Sequence, residues 1–186
     1  MMSRTAVVVM GVAGSGKSTV AELLAAELGW TTTEADDLHS PASVAKMAAG
    51  IPLDDDDRTP WLRRICRRIE DLDGDQVLTC SALKRRYRDI LRTADARVRF
   101  LHLDGGRDLI GARIGARTGH FMPVDLLDSQ FATLESLETD EDGASVSIDG
   151  TPDDILRRAI AALELTPTAT TSTGADRPVR PQTPRP

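Results

Sequence analysis

The sequence predicts an α/β fold in three layers, α/β/α, with a mainly five-stranded parallel sheet covered by helices on both faces. Three observations predict it. Short β-branched runs alternate with longer segments of helical periodicity, the pattern of successive βα units. The first run and the first helical segment are joined by Gly11-Val12-Ala13-Gly14-Ser15-Gly16-Lys17-Ser18-Thr19, which fits G-x-x-x-x-G-K-[ST]. At 186 residues, 40% of them apolar, the chain has material for one core of ordinary size.

The elements follow in order. Residues 6–10 form a continuous apolar run, as a buried strand should, and residues 20–28 read as a helix closed by Gly29. Residues 30–34 are rich in β-branched side chains and read as a second strand, delivering Glu34, Asp36, Asp37 and His39 at its exit. Pro41 opens a short helix over 42–49, stopped by Gly50 and Pro52. After the acidic run Asp54 to Asp57, Pro60 suits the first turn of a helix that runs to about residue 72. Residues 76–80 read as the third strand, followed by a loop and a basic helix to about residue 92. Residues 98–103 form the fourth strand, with a helix over 107–116 behind it. A loop at 118–123 precedes a helix over 124–134, and residues 145–148 are the last strand. Thr151, with Asp154 three residues on, opens the closing helix to about residue 165. The expected domain is therefore 1–165. From Thr166 the chain is mostly Thr, Pro, Ser, Gly and Ala with one branched apolar residue, Val179, so 166–186 is expected to be a disordered tail.

Composition narrows the function. The net charge of −6 and the lack of a basic stripe with interleaved aromatics argue against nucleic acid. No apolar run approaches the ~18 residues of a membrane span. The N-terminal apolar patch is the first strand, not a signal segment, and Cys66 and Cys80 read as buried, reduced thiols. A cytoplasmic protein with no membrane partner is the expectation. The glycine-rich motif supplies the chemistry: its glycines let successive N–H groups point at phosphate oxygens, and the following helix N-terminus favours negative charge. Lys17 reaches the β- and γ-phosphates and the Ser18 hydroxyl can hold Mg²⁺. The expected ligand is ATP with Mg²⁺, bound by Gly11, Val12, Ala13, Gly14, Ser15, Gly16, Lys17, Ser18 and Thr19. Guanine specificity usually needs an Asn-Lys-x-Asp motif, and the chain contains no asparagine. A motor ATPase usually shows paired acids after a strand, whereas the third strand here ends in Cys80-Ser81. Acids after strand two favour phosphoryl transfer to a small acceptor.

Several blocks carry a closer likeness: Asp36-Asp37-Leu38-His39; Lys46-Met47-x-x-Gly50-Ile51-Pro52-Leu53-x-Asp55-Asp56-Asp57-Arg58-x-Pro60-Trp61-Leu62; Cys80-Ser81-Ala82-Leu83-Lys84-x-x-Tyr87-Arg88-Asp89; Arg117-x-Gly119-His120-Phe121; and Leu126-Leu127-x-Ser129-Gln130-Phe131-x-Thr133-Leu134-Glu135. In these the chain resembles the gluconokinase family, small P-loop sugar-acid kinases related to shikimate kinase, from about residue 7 to residue 160. The resemblance implies a P-loop kinase fold with a helical lid and ATP-dependent phosphorylation of D-gluconate at its 6-hydroxyl, giving 6-phosphogluconate for the pentose phosphate route. It also makes a homodimer an option, although no apolar patch in the sequence assigns an interface.

Candidate roles follow. Asp36 is the expected general base, as the strand-two Asp is in the similar shikimate kinases. Lys17, Arg113 and Arg117 would neutralise charge spreading over the γ-phosphoryl oxygens, the arginines from a lid that excludes water. The family blocks place Arg58, Lys84 and Arg88 to bind the acid's oxygens, and make His39 and His120 candidate hydroxyl partners. Glu34, where the family usually has Asp, is a candidate to reach the metal through a water. Ser40 stands where the family usually has Pro. Two rivals remain: a kinase of the same fold for another small acceptor, such as shikimate or a nucleoside monophosphate, and a catalytically silent nucleotide-binding module.

Overall fold

The structure is a computed structural model that describes residues 4–116 and 124–166. Five strands, β1 (Thr5–Met10), β2 (Thr31–Glu34), β3 (Gln76–Thr79), β4 (Arg97–Asp104) and β5 (Gly143–Ser147), form one sheet in the order β2-β3-β1-β4-β5. Every pairing is parallel. Period-two alternation divides the core. Val7 and Val9 of β1 face one side, with Leu24 and Leu28 of α1 (Lys17–Leu28), Ile110 of α5 (Arg107–Gly115), Leu127 of α6 (Val124–Thr133) and Ile155 of α7 (Pro152–Ala162). Ala6, Val8 and Met10 face the other, with Leu62, Ile65 and Ile69 of α3 (Asp55–Asp71) and Leu91 of α4 (Arg85–Leu91). The expected three layers are present.

Register sets the functional edge. Val9 pairs with Thr79 and Thr79 with Glu34, so these three residues form one row across the carboxyl ends of β1, β3 and β2. Two residues beyond that row lie Gly11, Ser81 and Asp36, and the Gly11 N–H donates to the Ser81 carbonyl at 3.3 Å. Ligands of open parallel sheets bind beyond this edge.

A helix start explains one departure from the sequence reading. Pro60 lies in the second turn of α3, not the first, because the helix begins earlier at a capping box. The Asp54 carboxylate accepts from the Asp57 N–H at 2.9 Å, and Asp57 returns the contact to the Asp54 N–H at 3.2 Å. Three acids in the first turn complement the helix dipole. The expected Thr151–Asp154 capping box of α7 is present. Ser40 caps α2 (Pro41–Ala48), its hydroxyl accepting the Ser43 N–H at 3.1 Å. This gives a physical use to a residue that departs from the family pattern. The segment expected as a lid loop, with Arg117, Gly119 and His120, lies outside the described residues, as does the tail beyond Thr166. Among the described residues no helix is long and apolar enough to cross a membrane.

Candidate active site

The phosphate side is built by the turn from β1 into α1. Gly16, at φ 95°, is the residue on which α1 begins, and Gly14 has φ 81°. A Cβ on Gly14 would lie 2.5 Å from Cγ1 of Ile114, so backbone conformation and space both require glycine there. Lys17 Nζ donates to the Val12 carbonyl at 3.0 Å, and the Ser15 N–H donates to the same carbonyl at 3.3 Å. Ser15 is wholly buried with its hydroxyl unpaired. Beside the loop opens a cavity of about 280 Å³, walled by Gly14, Gly16, Thr19, Arg113, Pro152 and Ile155 among others. Arg113 lies beside the loop, with Nη2 fixed on the Ile148 carbonyl at 2.7 Å.

The acceptor side begins at β2. Asp36 sits on a short 3-10 helix, Ala35–Leu38, with its side chain 82% exposed. Helix α3 holds that turn from below: Trp61 Nε1 donates to the Ala35 carbonyl at 2.7 Å and Arg64 Nε to the Leu38 carbonyl at 2.8 Å. His39 stacks on Trp61, ring centroids 4.2 Å apart and planes 10° from parallel. Its side chain is only 5% exposed, its Nδ1 has no partner, and its Nε2 faces the Asp36 carboxylate at 3.9 Å. Burial lowers the His39 pKa against the pull of Asp36, and the charges of Arg64 and Arg58 lower it further. The hydroxyl-partner role expected of His39 is left with one accessible atom, Nε2. Glu34 accepts a hydrogen bond from the Thr79 hydroxyl.

Arg58 and Lys84 come together around Tyr87, which the sequence did not place in core or pocket. The Tyr87 ring is buried, with Arg58 5.7 Å, Lys84 5.6 Å and Arg86 5.4 Å from its centroid. Its hydroxyl donates to Asp55 at 2.5 Å and accepts from Arg58 Nη1 at 3.3 Å. Lys84 Nζ lies 3.7 Å from the same Asp55 carboxylate, which also pairs with Arg86. The Tyr87 hydroxyl and these cations hold Asp55 below the usual carboxylate range against its desolvation.

Arg88 is a correction. Its side chain is excluded from solvent, and all its N–H groups are used inside the protein. Nε and Nη2 grip Glu141 at 2.6 and 2.9 Å, Nη1 donates to the carbonyls of Ala82 and Glu135, and Nη2 also to that of Ser136. No donor remains for an acceptor acid. The guanidinium instead fixes the turn before Lys84, where Ala82 has φ 42°.

The two halves meet at Cys80. Burial pushes its thiol up to about 12; after the opposing Ala82 backbone hydrogen bond, it feels the negative charge of Asp36 and the positive charges of Lys17 and Arg58. Sequence reasoning missed Tyr87 and Asp55 as the centre of the basic cluster, and Gln130, whose Oε1 accepts the Ala13 N–H at 2.7 Å. That Tyr87 and Gln130 fall in the family blocks was the available signal.

Such a loop, edge and cavity define a P-loop nucleotide-binding protein, and comparison agrees. Residues 7–137 match the model of a family described as "AAA domain", to which the chain belongs. It also belongs to the gluconokinase family. It is 48% identical over 157 residues to a gluconokinase from Gluconobacter oxydans (strain 621H), covering 82% of this chain and 88% of that one. The crystal structure of a gluconokinase from Sinorhizobium meliloti 1021 superposes with a TM-score of 0.80 at 43% identity, over 86% of this chain and 91% of that one. Shikimate kinase from Aquifex aeolicus shares the fold alone, with a TM-score of 0.56 at 15% identity over 86% and 96% of the two chains.

Proposed function

We propose that this protein transfers the γ-phosphoryl group of ATP to the 6-hydroxyl of D-gluconate, giving 6-phosphogluconate and ADP. The observation that carries the reading is the common edge: Gly11 and Asp36 each stand two residues beyond the row Val9, Thr79, Glu34. β1 and β2 are separated by one strand, about 9.6 Å at the usual spacing, so the phosphate loop and the Asp36 turn open on the same edge. Cys80, at the end of the strand between them, donates its N–H to the Val9 carbonyl at 3.1 Å.

The triphosphate lies against the N–H groups of the loop, with the base in the cavity beside Arg113 and Pro152. Lys17 exchanges the Val12 carbonyl for phosphate oxygen. Asp36 accepts the proton of the attacking hydroxyl as the oxygen–phosphorus bond forms and the bond to ADP breaks. Arg58 and Lys84 hold the carboxylate end of the acid, which orients its far hydroxyl in line with ATP. Arg117 and His120, outside the described residues, complete the proposed set. The Ser18 hydroxyl, at the start of α1 beside the phosphate loop, would hold Mg²⁺ together with phosphate oxygens. Glu34 would act on it through water. When bound, the ion neutralises charge on the phosphate oxygens.

A coupled assay of ADP release with gluconate, shikimate and nucleoside monophosphates tests the reading. Turnover with gluconate in clear excess over the others is expected, and no turnover with gluconate would overturn it.

A further inference from the structure

The Val12–Ala13 peptide of the phosphate loop is held at both ends. Its carbonyl accepts from Lys17 Nζ and the Ser15 N–H, at 3.0 and 3.3 Å. Its N–H is taken by a residue 117 positions away, the Gln130 side-chain carbonyl at 2.7 Å. Gln130 lies near the end of α6, and the chain beyond it runs into the acceptor wall. The Glu135 N–H donates to the Leu83 carbonyl at 2.8 Å, and the Glu135 carbonyl accepts from Arg88 Nη1 at 3.0 Å, next to Lys84. One short segment therefore touches the phosphate loop at one end and the Lys84 turn at the other.

We propose that Gln130 is a positioning residue for phosphoryl transfer: its amide carbonyl fixes the Val12–Ala13 peptide and sets the phosphate loop against the wall that carries Lys84. This rests on the kinase reading above. When Lys17 leaves the Val12 carbonyl for phosphate, Gln130 is the long-range hold on that peptide. A peptide that turned over would set its carbonyl where the N–H now meets Gln130 Oε1, two acceptors facing one another, so the contact selects the present orientation. The chemistry of the side chain suits the place. An amide offers an uncharged acceptor, a carboxylate would offer the same acceptor with a negative charge beside a triphosphate, and a thioether offers no comparable acceptor.

The test uses the full chain with Gln130→Met, similar in length but lacking the amide, and Gln130→Glu, which keeps the acceptor and adds charge. Binding of a non-hydrolysable ATP analogue is measured without acceptor, together with kcat, KM for each substrate and the unfolding temperature. Gln130→Met should weaken analogue binding and raise the KM for ATP by about tenfold, with the KM for gluconate changed less than about twofold. Gln130→Glu should unfold with the wild type yet bind the analogue more weakly, the deficit shrinking as salt rises. A role in stability alone would not yield that salt-dependent, ATP-selective effect. If Gln130→Met does not fold, Gln130→Glu carries the test. Wild-type analogue affinity and kcat in the folded variants would overturn the proposal. A wild type that binds the analogue but fails to phosphorylate gluconate would instead overturn the substrate reading, leaving the binding comparison intact.

Discussion

Arg88 and Glu141 face one another through two charge-assisted hydrogen bonds, 2.6 and 2.9 Å long, with both side chains excluded from solvent. Together they tie the middle of α4 to the chain entering β5. Removing one member leaves a buried charge without its partner, so Arg88→Met should destabilise the protein by roughly 3–5 kcal/mol. Urea unfolding checks this. A variant with wild-type stability and a raised KM for gluconate would show instead that Arg88 serves the substrate.

Acid should expose the same pair. Burial pushes the Glu141 carboxyl up, but hydrogen bonds from Arg88 and the Glu138 N–H, with the charges of Arg88 and Arg85, outweigh it and leave the pKa below its ordinary 4.5. The folded state therefore favours the ionised form. Its contribution is complete above that value and is lost as pH falls through the lower folded one. Urea midpoints from pH 6 to pH 3 should fall in the wild type, and Glu141→Gln, less stable at neutral pH, should show a flatter acid limb.

His39 gives a second pH window. Its folded pKa lies below the ordinary 6.5, chiefly through burial, so the fold favours the neutral ring. That contribution is full above about pH 6.5 and is lost as pH falls through the folded value. His39→Phe keeps a ring against Trp61 and removes the titration. His102 is shifted in the same direction by burial, so the difference between wild type and variant isolates His39. Stability curves that run parallel from pH 7.5 to pH 5 would refute the assignment.

Lys17→Met should lower kcat by on the order of 10²–10³-fold, the loss expected if Lys17 meets charge that develops in the transition state as proposed. Its unfolding temperature should stay near that of the wild type, because Lys17 bridges to a loop carbonyl and not into either apolar core. Steady-state kinetics with thermal unfolding decide the matter.

Asp36→Asn should lower kcat by on the order of 10²–10⁴-fold with little change in the KM for ATP. The carboxylate is 82% exposed, and Trp61 and Arg64 hold its turn through backbone carbonyls, so the fold does not depend on it. Activity within threefold of the wild type would remove Asp36 as the base.

Much of the fold was legible because each strand reads as an apolar or β-branched run and the loop motif marks the first βα junction. The start of α3 was misplaced because Pro60 is a strong local signal, while the reciprocal Asp54–Asp57 cap that outweighs it is one of several local pairings open to four consecutive acids. At the proposed site, the P-loop glycines, Lys17, Asp36, Arg58 and Lys84 were candidates from sequence alone. The fate of Arg88 could not: an arginine in a basic helix looks alike whether it meets a ligand or Glu141, 53 residues further on. The Gln130 contact with Ala13 was hidden for the same reason, since no local pattern encodes a bond across 117 residues.

The level row of Val9, Thr79 and Glu34 has an evolutionary corollary. On the proposed reading, the turns that meet energy source and recipient leave the sheet on separate strands, so those after β2 and β3 can be rewritten for a new recipient while the β1 turn goes untouched. A change of specificity in this scaffold is then a matter of loop editing, with the machinery that handles the triphosphate inherited whole.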